Sequence, residues 1–342
     1  MSDLNDIVAK ALDWRRQGRG VALATVVSTW GSSPRGIGSR LAVDEDGQFI
    51  GSVSGGCVEA EILASAEDVI ADGRPVLREF GVGDDKAWSV GLACGGAIKI
   101  FIERLEDLDL LQGLIDDAGA GREAQTLVVL ETGARAHFDR AVQAIGDDLT
   151  RQALLAAARQ GRDRLVDTPA GLFFLEHWRP PLRLLIVGAV HVAQALAPIA
   201  TATGYDVTLI DPRAAFADPR RFPSAKLVNA WPDDVLPNLR LDARTALVVL
   251  SHEPRIDDPA LIAALNSPAF YIGALGSRAT AEKRRTRLRG LGFDDVALAR
   301  VHGPVGLAIG AATPAEIAIA IAAELTETLR LAPVSALESA AE

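Results

Sequence analysis

The sequence predicts an α/β protein in which a C-terminal Rossmann-like domain, a doubly wound parallel sheet, follows an N-terminal α+β domain. Three observations predict this fold. Beyond residue 181, apolar strands alternate with helices, which is typical of repeated βαβ units. Before it, strands and helices follow no such alternation, and the proline tract Trp178-Arg179-Pro180-Pro181 separates the two patterns. The length of 342 residues also exceeds what one core commonly holds.

We therefore expect an N-terminal domain over residues 1–178, a C-terminal domain over 182–332 and a disordered, Ala-rich tail over 333–342. The C-terminal domain begins with the near-continuous apolar strand Leu182–Val187, a buried parallel type. Further strands are predicted over 206–210, 246–251 and 270–275, and helices over 192–203, 259–266, 279–291 and 313–329. Thr313, Pro314 and Glu316 fit the N-cap, N1 and N3 positions of a capping box that opens the last helix.

The N-terminal domain opens with an amphipathic helix, Leu4–Arg16, and a β-rich run, Val21–Thr29. Two strands around Asp46-Gly47 predict a hairpin, because this dipeptide favours a tight turn between strands. A helix over 58–71 and strands over 76–80 and 97–103 follow. Signals weaken between 105 and 179, where we expect helices over 108–118 and 149–160 and strands over 125–131 and 172–176.

Composition excludes some classes of function. The formal net charge of −10 argues against nucleic acid or an anionic membrane as the main partner, since either favours a basic face. No apolar run is long enough to span a bilayer. The polar start Met1–Leu12 carries no export signal and the chain has only two cysteines, so we expect a cytoplasmic protein with reduced thiols.

Each of the two cysteines adjoins a glycine pair, in Gly55-Gly56-Cys57 and in Cys94-Gly95-Gly96. Glycine lets a backbone approach a ligand closely and adopts positive φ. We therefore expect Cys57 and Cys94 in two ligand-facing loops, where they bind a soft, anionic ligand or act as a pair of thiols. Zinc is disfavoured, because the Cys-x-x-Cys spacing is missing and no histidine is close in sequence to either thiol.

The surroundings of Cys57 strengthen this expectation. Cys57 directly precedes a helix, whose free amides and dipole stabilise a thiolate and attract anions. Glu59 in the first turn has two interpretations: a general base or supporting partner of the site, or an acid that simply favours a helix start. Arg35, in the glycine-rich loop 31–38, is a candidate anion ligand.

The first turn of the C-terminal domain resembles a dinucleotide-binding turn but departs from it. Gly188 follows the first strand, and Asp211 comes 23 residues later, near the place of a ribose contact. Val190 occupies the second glycine position, where the backbone must approach a pyrophosphate. This favours a Rossmann fold without ordinary NAD(P) binding, and an NAD(P)-dependent oxidoreductase remains the alternative. His191 contacts a phosphate or caps the helix.

Other polar residues follow predicted strands of the same sheet, where ligands bind in such folds. They are His252 after one strand and Ser277 and Arg278 after another, the latter two at a helix start that suits an anion. The basic cluster 283–289 is typical of a solvated helix face, with an acidic partner or a second phosphate as its functional interpretation.

Five segments together resemble the XdhC/CoxI family, the accessory factors of xanthine dehydrogenase and related molybdenum hydroxylases. They are Thr29-Trp30-Gly31-Ser32-Ser33-Pro34-Arg35, Gly51-Ser52-Val53-Ser54-Gly55-Gly56-Cys57-Val58-Glu59, Gly91-Leu92-Ala93-Cys94-Gly95-Gly96, Tyr271-Ile272-Gly273-Ala274-Leu275-Gly276-Ser277-Arg278, and the tract from Gly306-Leu307-Ala308-Ile309-Gly310 to Pro314-Ala315-Glu316-Ile317-Ala318. The family usually has Gly-Ala-Gly-His where this chain has Gly188-Ala189-Val190-His191.

The resemblance implies a chaperone rather than a turnover enzyme: it binds the molybdenum cofactor (molybdopterin), supports its sulfuration by a cysteine desulfurase and delivers it to an apo molybdenum hydroxylase. It implies Cys57 and Cys94 as metal ligands or sulfur carriers, with Glu59 beside them as a candidate catalytic residue. The candidate cofactor-binding residues are Arg35, Gly55, Gly56, Gly95, Gly96, Gly188, His191, Asp211, His252, Ser277 and Arg278. We also expect a homodimer. A redox switch that joins Cys57 to Cys94 is a third possibility.

Overall fold

The computed structural model describes residues 4–33, 35–81 and 95–331. Cys94, Pro34 and the tail beyond residue 331 therefore lie outside the described residues. The chain divides into two compact units, Met1–Pro180 and Pro181–Glu342. Within the described ranges, no helix is long and apolar enough to cross a bilayer.

The first unit contains an antiparallel sheet in the order β3-β2-β1-β5-β4. Its strands are β1 (Val21–Trp30), β2 (Arg40–Asp44), β3 (Phe49–Gly51), β4 (Val76–Phe80) and β5 (Ala97–Arg104). Helix α1 (Leu4–Arg16) packs on one face through Val8 and Leu12, and α2 (Glu59–Asp72) packs on the other through Ile62 and Val69. Both faces of the sheet are therefore buried.

A second antiparallel sheet of this unit has the order β7-β6-β9-β8. Its strands are β6 (Ala124–Val129), β7 (Arg135–His137), β8 (Arg164–Thr168) and β9 (Gly171–Trp178), and the helices of this region are α3 (Leu108–Gly119), α4 (Phe138–Ala144) and α5 (Asp148–Ala158). Phe101 of β5 packs in one cluster with Val128 and Phe174, so apolar contacts join the two sheets.

A buried ionic cluster also joins the two sheets. Glu176 of β9 accepts hydrogen bonds from Arg40 of β2 at 2.9 Å and from Arg135 of β7 at 3.0 Å, and Arg135 also pairs with Glu103 of β5. Burial alone would raise the pKa of Glu176, but Arg135 and Arg40 outweigh it and hold the pKa at about 2. Glu176 therefore stays ionised, and each charge in the cluster has a partner, as buried charges require.

The second unit is built on a parallel sheet in the order β12-β11-β10-β13-β14-β15. Its strands are β10 (Leu182–Val187), β11 (Tyr205–Ile210), β12 (Lys226–Val228), β13 (Thr245–Val249), β14 (Tyr271–Ala274) and β15 (Val301–His302). The strand order is that of dinucleotide-binding folds, with its reversal between β10 and β13. The predicted doubly wound sheet is confirmed.

Helices cover both faces of this parallel sheet. They are α6 (His191–Ala202), α7 (Pro232–Val235), α8 (Pro254–Leu265), α9 (Arg278–Gly290), α10 (Asp295–Ala299) and α11 (Pro314–Leu331). Leu184 and Ile186 of β10 pack on one face with α6 and α11, whereas Leu185 and Val187 pack on the other with α8. This alternation explains why β10 is a continuous apolar run in the sequence.

The local signals at helix ends hold in the structure. Thr313 accepts a hydrogen bond from the Glu316 amide at 3.3 Å, and the Glu316 carboxylate accepts one from the Thr313 amide at 2.8 Å, which confirms the capping box. Helix α8 begins at Pro254, five residues before its expected start. Glu253 caps it and Pro254 takes the N1 position, where proline costs no hydrogen bond.

Candidate functional site

The strands of the first sheet bring three loops to one edge. β1 ends at Trp30, opposite the start of β5 at Ala97, and antiparallel pairing places the start of β2 and the ends of β3 and β4 at this same edge. The connections that follow β1, β3 and β4 therefore leave the sheet together. We call this the loop edge. It carries the described parts of the three N-terminal segments on which the family resemblance rests, residues 29–33 and 35, 51–59 and 95–96.

Close backbone contact joins two of these loops. A Cβ atom on Gly96 would lie 2.8 Å from the carbonyl oxygen of Trp30, and one on Gly31 would lie 3.4 Å from Cα of Gly96. A real Cβ does not fit at the shorter distance, so the approach requires glycine at position 96. The glycines that follow Cys94 in the sequence are thus packed against the loop that contains Arg35.

The Cys57 loop is organised around the carboxylate of Glu59. This carboxylate accepts hydrogen bonds from the amides of Gly55 at 3.0 Å and Gly56 at 2.8 Å, and from the Ser52 hydroxyl at 2.8 Å. The amide and hydroxyl of Ser54 also donate to it, the amide at 3.0 Å. Partial burial would raise the pKa of Glu59, but these hydrogen bonds lower it from 4.5 to about 2.

This arrangement gives Glu59 a defined structural role. A carboxylate with a pKa of about 2 is ionised at neutral pH and is a weak base. The amides of Gly55 and Gly56, which we expected to cradle a ligand, donate to Glu59 instead. Both glycines have positive φ, 81° and 120°, which the loop needs in order to wrap around the carboxylate.

Cys57 itself is exposed at the beginning of α2. Among the described residues, no atom lies within 4 Å of a Cβ built on Gly56 or on Gly95, so this part of the chain leaves space over both glycines. The loop thus displays a thiol beside accessible backbone, while the amides of Ser54, Gly55 and Gly56 donate internally to Glu59. The catalytic, cofactor-binding and metal-binding roles given to these residues stay predictions, and Cys94 lies outside the described residues.

Two further features of the loop edge concern the 31–38 loop. Arg35 is half-buried, and its carbonyl accepts a hydrogen bond from the Ser33 hydroxyl at 2.7 Å. Trp30, at the end of β1, is 74% exposed. Trp30 was not among the predicted site residues, although a tryptophan directly before a glycine-rich loop is a usable signal. Large exposed aromatic surface is frequent in binding sites.

In the second unit, the sheet gathers four predicted residues at its carboxyl edge. Gly188 and His191 follow β10, Asp211 follows β11 and His252 follows β13. A Cβ on Gly188 would lie 2.7 Å from the amide nitrogen of Ser251, so the turns after β10 and β13 touch, and Gly188 adopts φ 107°. His191 and His252 are exposed on these turns.

Asp211 is fully buried, and its carboxylate is engaged within the protein. It accepts hydrogen bonds from the Ala189 amide at 2.7 Å and from the amide, Nε and Nη2 of Arg213 at 2.7–2.9 Å. Burial alone would raise the pKa of Asp211, but the hydrogen bonds from Arg213 and the two amides outweigh this effect and lower the pKa. Val190, at the second glycine position, is half-buried and packs against the core of this unit. The expected ribose contact of Asp211 stays a prediction.

Ser277 and Arg278 follow β14. The Ser277 hydroxyl accepts a hydrogen bond from the Thr280 amide at 3.2 Å and so caps α9. Arg278 is exposed and lines a cavity with Arg284 and Arg285, two residues that were not among the predicted site residues. The sequence signal for them is the basic cluster of this helix.

Fold and site together define a class of protein. Its first unit is α+β and carries a loop with an exposed cysteine, and its second unit is a Rossmann fold whose first turn departs from the usual glycine pattern. Sequence comparison gives the particular family. Residues 14–81 match the model of the XdhC and CoxI family, and residues 184–325 match that of the XdhC Rossmann domain. The chain belongs to the XdhC and CoxI family.

Individual relatives agree with this assignment. The chain is 28% identical to the molybdenum cofactor insertion chaperone PaoD of Escherichia coli K12, over 94% of this chain and 88% of the relative. It is 27% identical to a Bacillus subtilis 168 protein described as a probable xanthine dehydrogenase subunit, over 90% and 92%. A crystal structure described as a xanthine dehydrogenase from Bacillus halodurans has the same fold, with a TM-score of 0.77, 24% identity and 97% coverage of both chains.

Proposed function

We propose that this protein is an insertion chaperone that holds the molybdenum cofactor and delivers it to a molybdenum hydroxylase of the xanthine dehydrogenase type. The names of its relatives, a cofactor insertion chaperone and a probable xanthine dehydrogenase subunit, support this class of substrate and partner. The observation that carries the proposal is the loop edge, where an exposed Cys57 stands on a loop fixed by Glu59.

The residues of the loop edge fit such a cofactor. Among the described residues, no group of three or more His, Cys, Asp or Glu side chains converges to hold a metal ion. A molybdenum that arrives with its pterin dithiolene brings its own sulfur ligands, so the protein needs to add only a soft contact and space. Cys57 supplies the thiol, and the open space over Gly56 and Gly95 supplies room for close approach.

Each residue of the Cys57 loop then has a separate task. Cys57 contacts the cofactor as a ligand or as a sulfur carrier. Glu59 is a positioning residue, because its six internal hydrogen bonds fix the loop without contacting the cofactor. The bound cofactor supplies the metal and its exchangeable sulfido ligand. We also propose that the protein holds the cofactor while a cysteine desulfurase supplies its sulfur.

The decisive experiment is copurification. The protein is expressed in cells that make the cofactor, and bound molybdenum is measured by mass spectrometry together with pterin fluorescence after oxidation. We expect both in the wild type, and a loss of about tenfold in Cys57→Ser, because a soft ligand is replaced by a hard one. Glu61→Gln, an exposed first-turn change on the same helix, is the matched control and should retain the cofactor.

Two outcomes would contradict the proposal. Wild-type protein without molybdenum or pterin would remove the chaperone function itself. Full cofactor occupancy in a Cys57→Ser, Cys94→Ser double variant would leave the chaperone function but exclude the thiol role. Activation of an apo-hydroxylase by loaded wild-type protein, with and without a cysteine desulfurase and a sulfur source, tests delivery and sulfuration separately.

The alternative, an NAD(P)-dependent oxidoreductase, has a direct test of its own. Titration with NADH and NADPH should show no tight binding, because Val190 fills the second glycine position and Asp211 is engaged with Ala189 and Arg213. Saturable binding with turnover would overturn the chaperone proposal. The expected homodimer and cytoplasmic location stay predictions, and light scattering of the purified chain tests the first.

A further inference from the structure

A cavity of about 320 Å³ lies in the second unit among α9, α10 and the end of β15. Arg278, Arg284, Arg285 and Glu282 of α9 line it together with apolar side chains that include Leu288 and Leu298. Its volume is at the lower end of the range for small-molecule pockets. Three guanidinium groups against one carboxylate give the cavity a net positive charge.

Arg284 is the buried member of this group, with a side chain only 5% exposed. Its Nη2 donates to the Leu275 carbonyl at 2.9 Å, but its Nε and Nη1 have no hydrogen-bond partner among the described residues. The nearest acid, Asp257, is 3.8 Å away and accepts a 2.6 Å hydrogen bond from Ser251. A buried guanidinium with unsatisfied donors is costly, so this charge lacks full compensation.

The basic residues of α9 separate into two groups. Arg287 and Arg289 form ion pairs with Asp258 and Asp295 and do not line the cavity. Arg278 and Arg285 line the cavity, are exposed, and make no hydrogen bond or ion pair with any described residue. The arginines around the cavity therefore remain available to an anion, whereas two on the rest of the helix are already paired.

We infer that this cavity binds the phosphate group of a small phosphorylated molecule, whose apolar or heterocyclic body lies against Leu288 and Leu298. Guanidinium groups match phosphate oxygens in charge and geometry, and three arginines line this cavity. A phosphate also gives the buried charge of Arg284 a nearby counter-ion. This inference is independent of the proposed cofactor chemistry. In the sheet, β13 and β14 lie between β10, whose following turn holds His191, and β15, which ends at the cavity.

Isothermal titration calorimetry of the full chain tests this inference, with pyrophosphate, AMP and CMP as probes and uncharged adenosine as the reference. We expect saturable binding of at least one phosphorylated probe and none of adenosine. Arg278→Gln and Arg285→Gln should each weaken that binding about tenfold or more, as the loss of a charged hydrogen bond does. Arg289→Gln removes the same charge from the same helix outside the cavity and should change affinity less than about twofold.

Arg284→Gln should abolish binding, with far-UV circular dichroism to confirm its fold. If it does not fold, the two exposed variants still decide the question. Failure of all phosphorylated probes, or equal affinity of wild type, Arg278→Gln and Arg285→Gln, overturns the inference. If only His191→Ala loses binding, the phosphate binds at the turn after β10, and this result also overturns the inference. Cys57→Ser should leave nucleotide binding unchanged, whatever the copurification experiment shows.

Discussion

The Cys57 loop and the turn after β10 both direct backbone amides at a carboxylate, but they differ in how exposed that carboxylate is. Both are glycine-containing turns at the start of a helix, and in both an acidic side chain accepts hydrogen bonds from backbone amides. At the Cys57 loop the carboxylate of Glu59 is partly exposed, and the same loop displays the exposed thiol of Cys57. At the turn after β10, the carboxylate comes from Asp211, which follows β11, is fully buried and also pairs with Arg213.

This difference shows where ligand chemistry remains available. An anion-binding turn needs free amides. Glu59 already accepts hydrogen bonds from amides of the Cys57 loop, and Asp211 accepts one from the Ala189 amide in the turn after β10. What remains at the Cys57 loop is a soft nucleophile. In the second unit, the arginine-lined cavity of α9 remains available, and it lies away from the turn where dinucleotide folds usually bind phosphate.

The largest effect should come from removing the buried carboxylate of the second unit. Asp211→Ala leaves the buried Ala189 amide without an acceptor and should destabilise this unit by about 3 kcal/mol. Urea-dependent hydrogen exchange of peptides from the second unit measures this. Asp218→Ala is the matched control: it has the same Asp-x-Arg contacts with Arg220 on the surface and should have little effect. Equal effects would remove the distinction between the turns.

A smaller, local loss should follow from Glu59→Gln. The neutral amide cannot accept from all the donors of the Cys57 loop, and we expect about 2 kcal/mol less protection there. Hydrogen exchange of residues 52–58 measures this change. Glu61→Gln, also in the first turn of α2, makes no such contact with any described residue and should leave exchange unchanged. Unchanged protection in Glu59→Gln would contradict the assignment of Glu59 as the organiser of the loop.

The pH dependence should have opposite signs at Glu59 and Asp257. Because the folded pKa of Glu59 is about 2, below its ordinary 4.5, its stabilisation is complete above pH 4.5 and is lost as pH falls through 2. Burial raises the pKa of Asp257 above its ordinary 3.8, so its contribution is complete below 3.8 and is lost as pH rises through the folded pKa. Carboxyl ¹³C NMR titration of both residues tests this. Titration of Glu59 near 4.5 would refute the hydrogen-bonded loop.

The smallest effect on stability should be that of Cys57→Ser. Its thiol is exposed and packs against no core, so the unfolding midpoint should not change measurably. The same variant is expected to lose bound cofactor. A chemical denaturation curve measured beside the copurification assay separates the two results. A large loss of stability would mean that Cys57 supports the loop instead of serving a ligand.

The sequence predicted the architecture well where its signals were local or repeated. The βαβ alternation predicted the parallel sheet, and the capping box of α11 and the strand Leu182–Val187 have their predicted places. It missed short elements such as β7, β8 and β12, because three to five residues carry too little periodicity. It also began α8 five residues late, because two prolines obscured a helix start that the Glu253 cap fixes.

The candidate site was predictable only in part. The sequence by itself identified the candidate residues: two glycine-flanked cysteines, an acid close to one of them, and an altered first Rossmann turn. Only the tertiary structure decided how those groups are used. Antiparallel pairing gathers three distant loops at one edge, and hydrogen bonds commit Glu59 and Asp211 to the backbone. Burial leaves two donor nitrogens of Arg284 without a partner among the described residues, while Arg287 on the same helix pairs closely with Asp258. Spacing along a chain records which groups are present, but pairing and burial depend on contacts between segments far apart in sequence.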